Sequence, residues 1–168
     1  GSADCVFSIT VDPASPVGSV AEINFEALLN PYEASKAFFP KIGLILEDFE
    51  TGDFEAYNWE FSGDAEWLIS DSDPQSGAFS AQSGDIDDEE SSILKIEMEV
   101  LSDDSISFFR KVSSEDSYDY LKFYIDNTEM GSWAGESDWA REAYFVLAGT
   151  HTFKWEYDKD YSVSNGSD

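Results

Sequence analysis

Carboxylates dominate the chemistry open to this chain. Of its 168 residues 36 are Asp or Glu and 9 are Lys or Arg, for a net charge of −27. Such a chain is rich in hard oxygen donors, and the cation they suit is calcium. Two stretches carry the spacing. Asp48 and Glu50 flank Phe49. With Phe49 turned inward on an extended backbone, both carboxylates leave the opposite face about 7 Å apart. Asp85, Asp87, Asp88, Glu89 and Glu90 form the densest acidic run, within GDIDDEESS. Such a run is repulsive unless a counter-cation or solvent offsets it. The candidate calcium ligands are therefore Asp48, Glu50, Asp85 and Asp87. The run is not an EF-hand loop, which needs Gly at its sixth position and Glu at its twelfth. A solvated acidic surface that keeps the protein soluble accounts for the same composition.

A second candidate set is aromatic. Trp133 and Trp139 lie in GSWAGESDW, with Glu136 and Asp138 beside them. Aromatic faces pack on the apolar faces of pyranose rings, and the acids accept hydrogen bonds from sugar hydroxyls. The same segment, folded back over the end of a sandwich, would instead bury both rings as a plug. Trp59, Trp67 and Trp155 sit in strand-like contexts and read as core.

Other chemistry is poorly supplied. There is one cysteine, Cys5, so no internal disulfide forms, and one histidine, His151. This argues against a zinc site built from His and Cys. A Ser-His-Asp or Cys-His set would have to use His151, which sits at a turn entering a strand. A glycosidase needs two carboxyls facing each other across a cleft, and no spacing singles out such a pair. No enzymatic activity is expected. Nucleic acid is disfavoured as a partner, because its affinity rests on Lys and Arg at phosphates. No apolar run approaches the roughly 18 residues of a membrane helix, so membrane insertion is not expected.

The elements that must position these residues are strands. In SISFFRKVS, Ile106, Phe108 and Arg110 alternate with Ser105, Ser107 and Phe109. In YDYLKFYI, Tyr118, Tyr120, Lys122 and Tyr124 alternate with Leu121, Phe123 and Ile125. Period-two alternation of aromatic and β-branched residues marks half-buried strands. Joined by the polar run SSEDS, the two read as a hairpin. SILKIEMEVL is a further strand, and AYFVLAGTHTFKWEYDKD is two more around Gly149-Thr150. NTEMGSWAGESDWARE reads as a long polar loop. Before residue 45 the texture differs. Cys5–Val11, SVAEINFEALL and KAFFPKIGLI read as three strands, with NPYEAS as a loop and Pro40 favouring an edge. Short strands at regular spacing point to an all-β sandwich or barrel.

Taken together, EDFETGDFEAYNWEFSGDAEWLIS, SGAFSAQSGDI, SISFFRKVSSEDSYDYLKFYIDN, GSWAGESDW and GTHTFKWEYDKDYSVSNGSD form an ordered series. It resembles the jelly-roll domains of secreted multidomain proteins of Bacteroidetes, related to the gingipain cleaved-adhesin and MAM-like domains. The resemblance implies an antiparallel jelly-roll β-sandwich over 45–168. It implies that 3–44 are the last strands of an immunoglobulin-like domain, or strands added to the main sheet. It implies a non-catalytic, extracellular or cell-surface adhesin module, often holding structural calcium, that binds surface carbohydrate or protein. A structural spacer of a secreted peptidase is the alternative. The family continues past the GSD motif with a final strand, so 45–168 reads as lacking its last strand. The open edge this leaves is a template for strand pairing with another chain.

Overall fold

The computed structural model describes residues 46–162, and before them 9–12, 15, 21–29, 32–39 and 42. The chain divides into two compact units, Gly1–Leu46 and Glu47–Asp168.

The first unit holds one antiparallel hairpin among its described residues. Strand β1 (Ile23–Leu29) pairs with β2 (Tyr32–Phe38), in register from Leu29 opposite Tyr32 to Ile23 opposite Phe38. Phe25 meets Phe38 edge-on with ring centroids 5.4 Å apart, and the Lys36 ammonium lies 4.9 Å from the Phe38 centroid. The expected loop through Ser35 is thus largely strand. Every β2 residue is exposed. Polar side chains therefore place no bar on a segment whose backbone groups pair with β1. The expected strand Cys5–Val11 lies largely outside the described residues, as does Pro40.

The second unit is all-β, with no helix among the described residues. Strand β3 (Glu60–Gly63) is followed by β4 (Leu68–Ser70), β5 (Ser80–Gln82), β6 (Ser91–Val100) and β7 (Asp104–Ser113). Then come β8 (Tyr120–Ile125), β9 (Thr128–Trp133), β10 (Glu136–Val146) and β11 (Gly149–Asp158). A five-stranded antiparallel sheet runs β3-β6-β11-β8-β9. Strands β10 and β7 form a second antiparallel sheet, and β4 and β5 a short third one.

The core lies between the five-stranded sheet and the β10-β7 pair. Ile96 of β6, Phe153 of β11 and Phe123 of β8 meet Val146 of β10, with Ile106, Phe108 and Tyr144 packed against them. Phe123 is fully buried; its ring lies 4.7 Å from Phe108 across the sheets and 5.0 Å from Trp155 within its own. The alternation expected for β8 holds, with Leu121 and Phe123 buried and Tyr120, Lys122 and Tyr124 half-buried on the other face. Arg110 shares the inward face of β7. It lies 4.8 Å from the Trp133 ring and binds Glu142, with side chains only 14% and 23% exposed.

Two connections differ from the sequence expectation. Strands β7 and β8 do not form a hairpin: β7 pairs with β10, whereas β8 lies between β11 and β9. The run between them crosses from one sheet to the other. The segment expected as a polar loop is instead most of β9 and β10 with a tight turn at Gly135, whose φ is +73°. A bulge between Ser137 and Ala140 breaks the alternation there, which hides the strand.

Candidate metal centre

The crossing from β7 to β8 is where charge collects. Ser114 is buried; its hydroxyl donates to the Asp119 carbonyl at 2.9 Å and accepts from the Gly135 amide at 3.1 Å. The Asp119 amide reaches back to the Glu115 carbonyl at 3.2 Å, closing one helical turn. That turn puts the Glu115 and Asp119 side chains on one side. The far end of β11 arrives beside them. The Asp160 amide donates to Asp119 Oδ1 at 3.0 Å, and the Asp160 carbonyl accepts from the Glu89 amide at 2.7 Å. The Lys159 amide donates to the Glu90 carbonyl at 3.2 Å. Three chain segments therefore converge on three carboxylates.

One oxygen each from Glu115, Asp119 and Asp160 lie within 4.8 Å of one another. Oxygens sharing one calcium at 2.3–2.6 Å lie no more than about 5 Å apart. Asp119 is 1% exposed, and its Oδ2 is buried without a hydrogen-bond partner; Glu115 Oε2 is likewise buried and unpartnered. A buried carboxylate oxygen without a donor is costly, and a missing ligand is one of the few explanations for it. Burial pushes the Glu115 carboxyl up from its ordinary range, and the nearby charges of Asp119, Asp160 and Asp88 push it further. The site is short of positive charge, which a divalent cation would supply.

The acids expected from sequence as ligands lie elsewhere. Asp48 Oδ1 accepts from the Glu50 amide at 3.2 Å. Glu50 Oε1 accepts from the Ala78 and Phe79 amides at 2.8 and 3.2 Å and so ties residues 50 and 78–79 together. Asp85 and Asp87 are exposed, with the Asp87 amide donating to Glu90 Oε2 at 2.9 Å. None of the four joins Glu115, Asp119 and Asp160, which form the one such carboxylate group among the described residues. The acidic run 85–90 does border the site, through Glu89 and Glu90.

The aromatic candidates separate. Trp133 packs against the core and under Arg110. Trp139 is half-buried, and its indole donates to the Asp73 carbonyl at 3.1 Å. Lys111 pairs with Asp73, and its ammonium is held above its ordinary pKa by that bond, with Asp138 and Glu136 adding to it. Glu136 also accepts from the Ser113 hydroxyl at 2.8 Å, and Asp138 from the Trp139 amide at 2.8 Å. Glu136, Asp138 and Trp139 thus gather around Lys111, apart from the core setting of Trp133.

Glu115 does not stand out from sequence because SSEDS reads as a polar connection, and Asp160 lies far along the chain from it. One signal was available. Asp119 has the parity of Leu121, Phe123 and Ile125, so it is an acid on the apolar side of β8. Compared with known proteins, the chain matches no family model, no curated protein and no solved structure.

Proposed function

We propose that this chain is a non-catalytic extracellular binding module of the adhesin kind, its jelly-roll sandwich closed by one calcium ion at Glu115, Asp119 and Asp160. The observation that carries the reading is the buried, unpartnered oxygen of Asp119, set among two further carboxylates. Charge and topology support it. Three converging carboxylates suit a hard cation with irregular oxygen coordination better than a small one that demands an octahedron. Extracellular modules take calcium at 10⁻⁴–10⁻³ M, so a site with three protein carboxylates suits that compartment. The crossing of β7 to β8 between two packed antiparallel sheets suits the jelly-roll likeness drawn from the sequence. Surface carbohydrate or protein is the class of partner. The lone histidine is bonded at both ring nitrogens, which leaves no free imidazole base for acyl transfer.

Isothermal titration of calcium into chelator-stripped protein tests this. One site is expected. Asp119→Asn keeps an acceptor for the Asp160 amide but removes the charge, and it is expected to abolish binding. Asp48→Asn and Asp87→Asn are expected to bind as the parent does. Full binding by Asp119→Asn, or none by the parent, overturns the assignment.

A further inference from the structure

The end of β11 is fastened beside the three carboxylates by a clasp of backbone bonds. Strand β11 lies between β6 and β8, and both ladders end at Asp158, opposite Ser91 and Tyr120. Beyond that point residues 89–90 and 159–160 hold each other. The Lys159 amide donates to the Glu90 carbonyl at 3.2 Å and the Glu89 amide to the Asp160 carbonyl at 2.7 Å, while the Asp160 amide donates to Asp119 Oδ1 at 3.0 Å. Glu89 holds φ +63°, a left-handed backbone that residues other than glycine seldom adopt. Lys159 is the one buried residue among 87–90 and 159–162, and Tyr161 is 76% exposed. A segment held by a few hydrogen bonds and little apolar contact is the kind that opens on its own.

The three acids are not equally free to move. Asp119 directly precedes β8, is 1% exposed, and is tied through its carbonyl to Ser114 and through its amide to Glu115. The Glu115 carbonyl accepts from the Tyr118 and Asp119 amides, so its turn is closed on itself. Asp160 alone rides on the clasp. Its carboxylate lies within 4.8 Å of those of Glu115 and Asp119, and Asp88, next to the clasp in sequence, adds its charge to the same place. Like charges at that range repel. Swinging Asp160 away relieves the repulsion at the cost of the clasp bonds. We infer that calcium at this site is a latch. With the ion bound, residues 87–90 and 159–162 are held shut on the β7–β8 crossing; with it removed they open as one unit while the sheets stay folded. The ion favours the closed form because the open form lacks the Asp160 ligand. This inference rests on the metal centre proposed above and adds its regulation: the end of β11 is fastened where calcium is abundant and loose where it is scarce.

The test is amide hydrogen exchange followed by NMR on the whole chain, in chelator and with calcium. In chelator the Glu89, Lys159 and Asp160 amides are expected to exchange together, about tenfold or more faster than the Trp155 amide at the centre of the sheet. Calcium at about tenfold excess over its dissociation constant is expected to slow all three about tenfold, because it binds the closed form. The Ala78 and Phe79 amides, which bond Glu50, are expected to be unmoved and so serve as the control for ionic strength. Asp160→Asn keeps the backbone bonds and removes one charge. In chelator its Glu89 and Lys159 amides are expected to be severalfold better protected than the parent's, which a clasp without charge repulsion would not show. The inference is overturned by clasp amides as slow as Trp155 in chelator, by slowing shared equally with Ala78 and Phe79, or by protection in Asp160→Asn no better than the parent's. Exchange unmoved by calcium that titration shows to be bound overturns it too, and leaves the metal centre standing. A chain that binds no calcium overturns both.

Discussion

His151 sets both ring nitrogens against oxygen acceptors. Nδ1 lies 2.6 Å from Asp126 Oδ2 and Nε2 lies 3.0 Å from the Leu147 carbonyl. A carboxylate and a carbonyl accept only, so both bonds are made together when both ring nitrogens carry protons. The bond to Asp126 raises the His151 pKa above 6.5. The Thr152 amide and then His151 hold Asp126 below 3.8. The signs follow from linkage. The histidine's contribution is complete below 6.5 and lost as pH rises through its folded pKa. The aspartate's is present above 3.8 and lost as pH falls through its folded pKa. The pair therefore stabilises most in the mildly acidic window between them, where it ties the β8–β9 turn to the turn that opens β11. An NMR titration of this one histidine is expected to give a midpoint above 6.5, falling in Asp126→Asn. A midpoint at or below the ordinary value in the parent contradicts the geometry. At the same scale, Asp119 was legible as an inward acid. Its partners were not, because Asp160 lies 41 residues away in sequence and meets it only once β11 is placed.

Gly63 shows how tightly one element is joined to the next. It sits at the end of β3 with φ +93°, and a Cβ there would stand 2.3 Å from the Ser91 carbonyl oxygen. Gly63→Ala is expected to cost about 1–3 kcal/mol, from the backbone conformation and the clash together. A lower urea midpoint with an unchanged slope is the expected result. An unchanged midpoint would mean that β3 does not dock on β6 in this way. The strands themselves were largely legible, since alternation marks a strand and its buried face. Their partners were not. The SSEDS run is as short as a hairpin connection, yet it carries the chain to the other sheet. Period-two patterning says which side chains turn inward and nothing about which neighbour the backbone bonds. Strand β9 and the first part of β10, up to Glu142, are hidden for another reason. Gly131, Gly135 and the bulge after Ser137 interrupt the alternation, and polar side chains on the outer face read as loop.

Across the whole molecule the surplus of carboxylates opposes folding, and a cation bound by Glu115, Asp119 and Asp160 would relieve part of that opposition. Without metal, the raised Glu115 pKa acts against the fold. The penalty is absent below the ordinary value of 4.5 and complete above the folded pKa. The stripped protein should therefore lose stability as pH rises through that interval, and calcium should restore it. The most direct measurement is a thermal melt at neutral pH of chelator-stripped protein with calcium titrated back, run beside Asp119→Asn. Binding to the native state alone adds about 2.7 kcal/mol at a hundredfold excess over the dissociation constant, several degrees for a domain of this size. The account predicts that rise for the parent, no match to it from magnesium, and a flat response from Asp119→Asn. A parent melt indifferent to calcium, or an equal rise in Asp119→Asn, would contradict it.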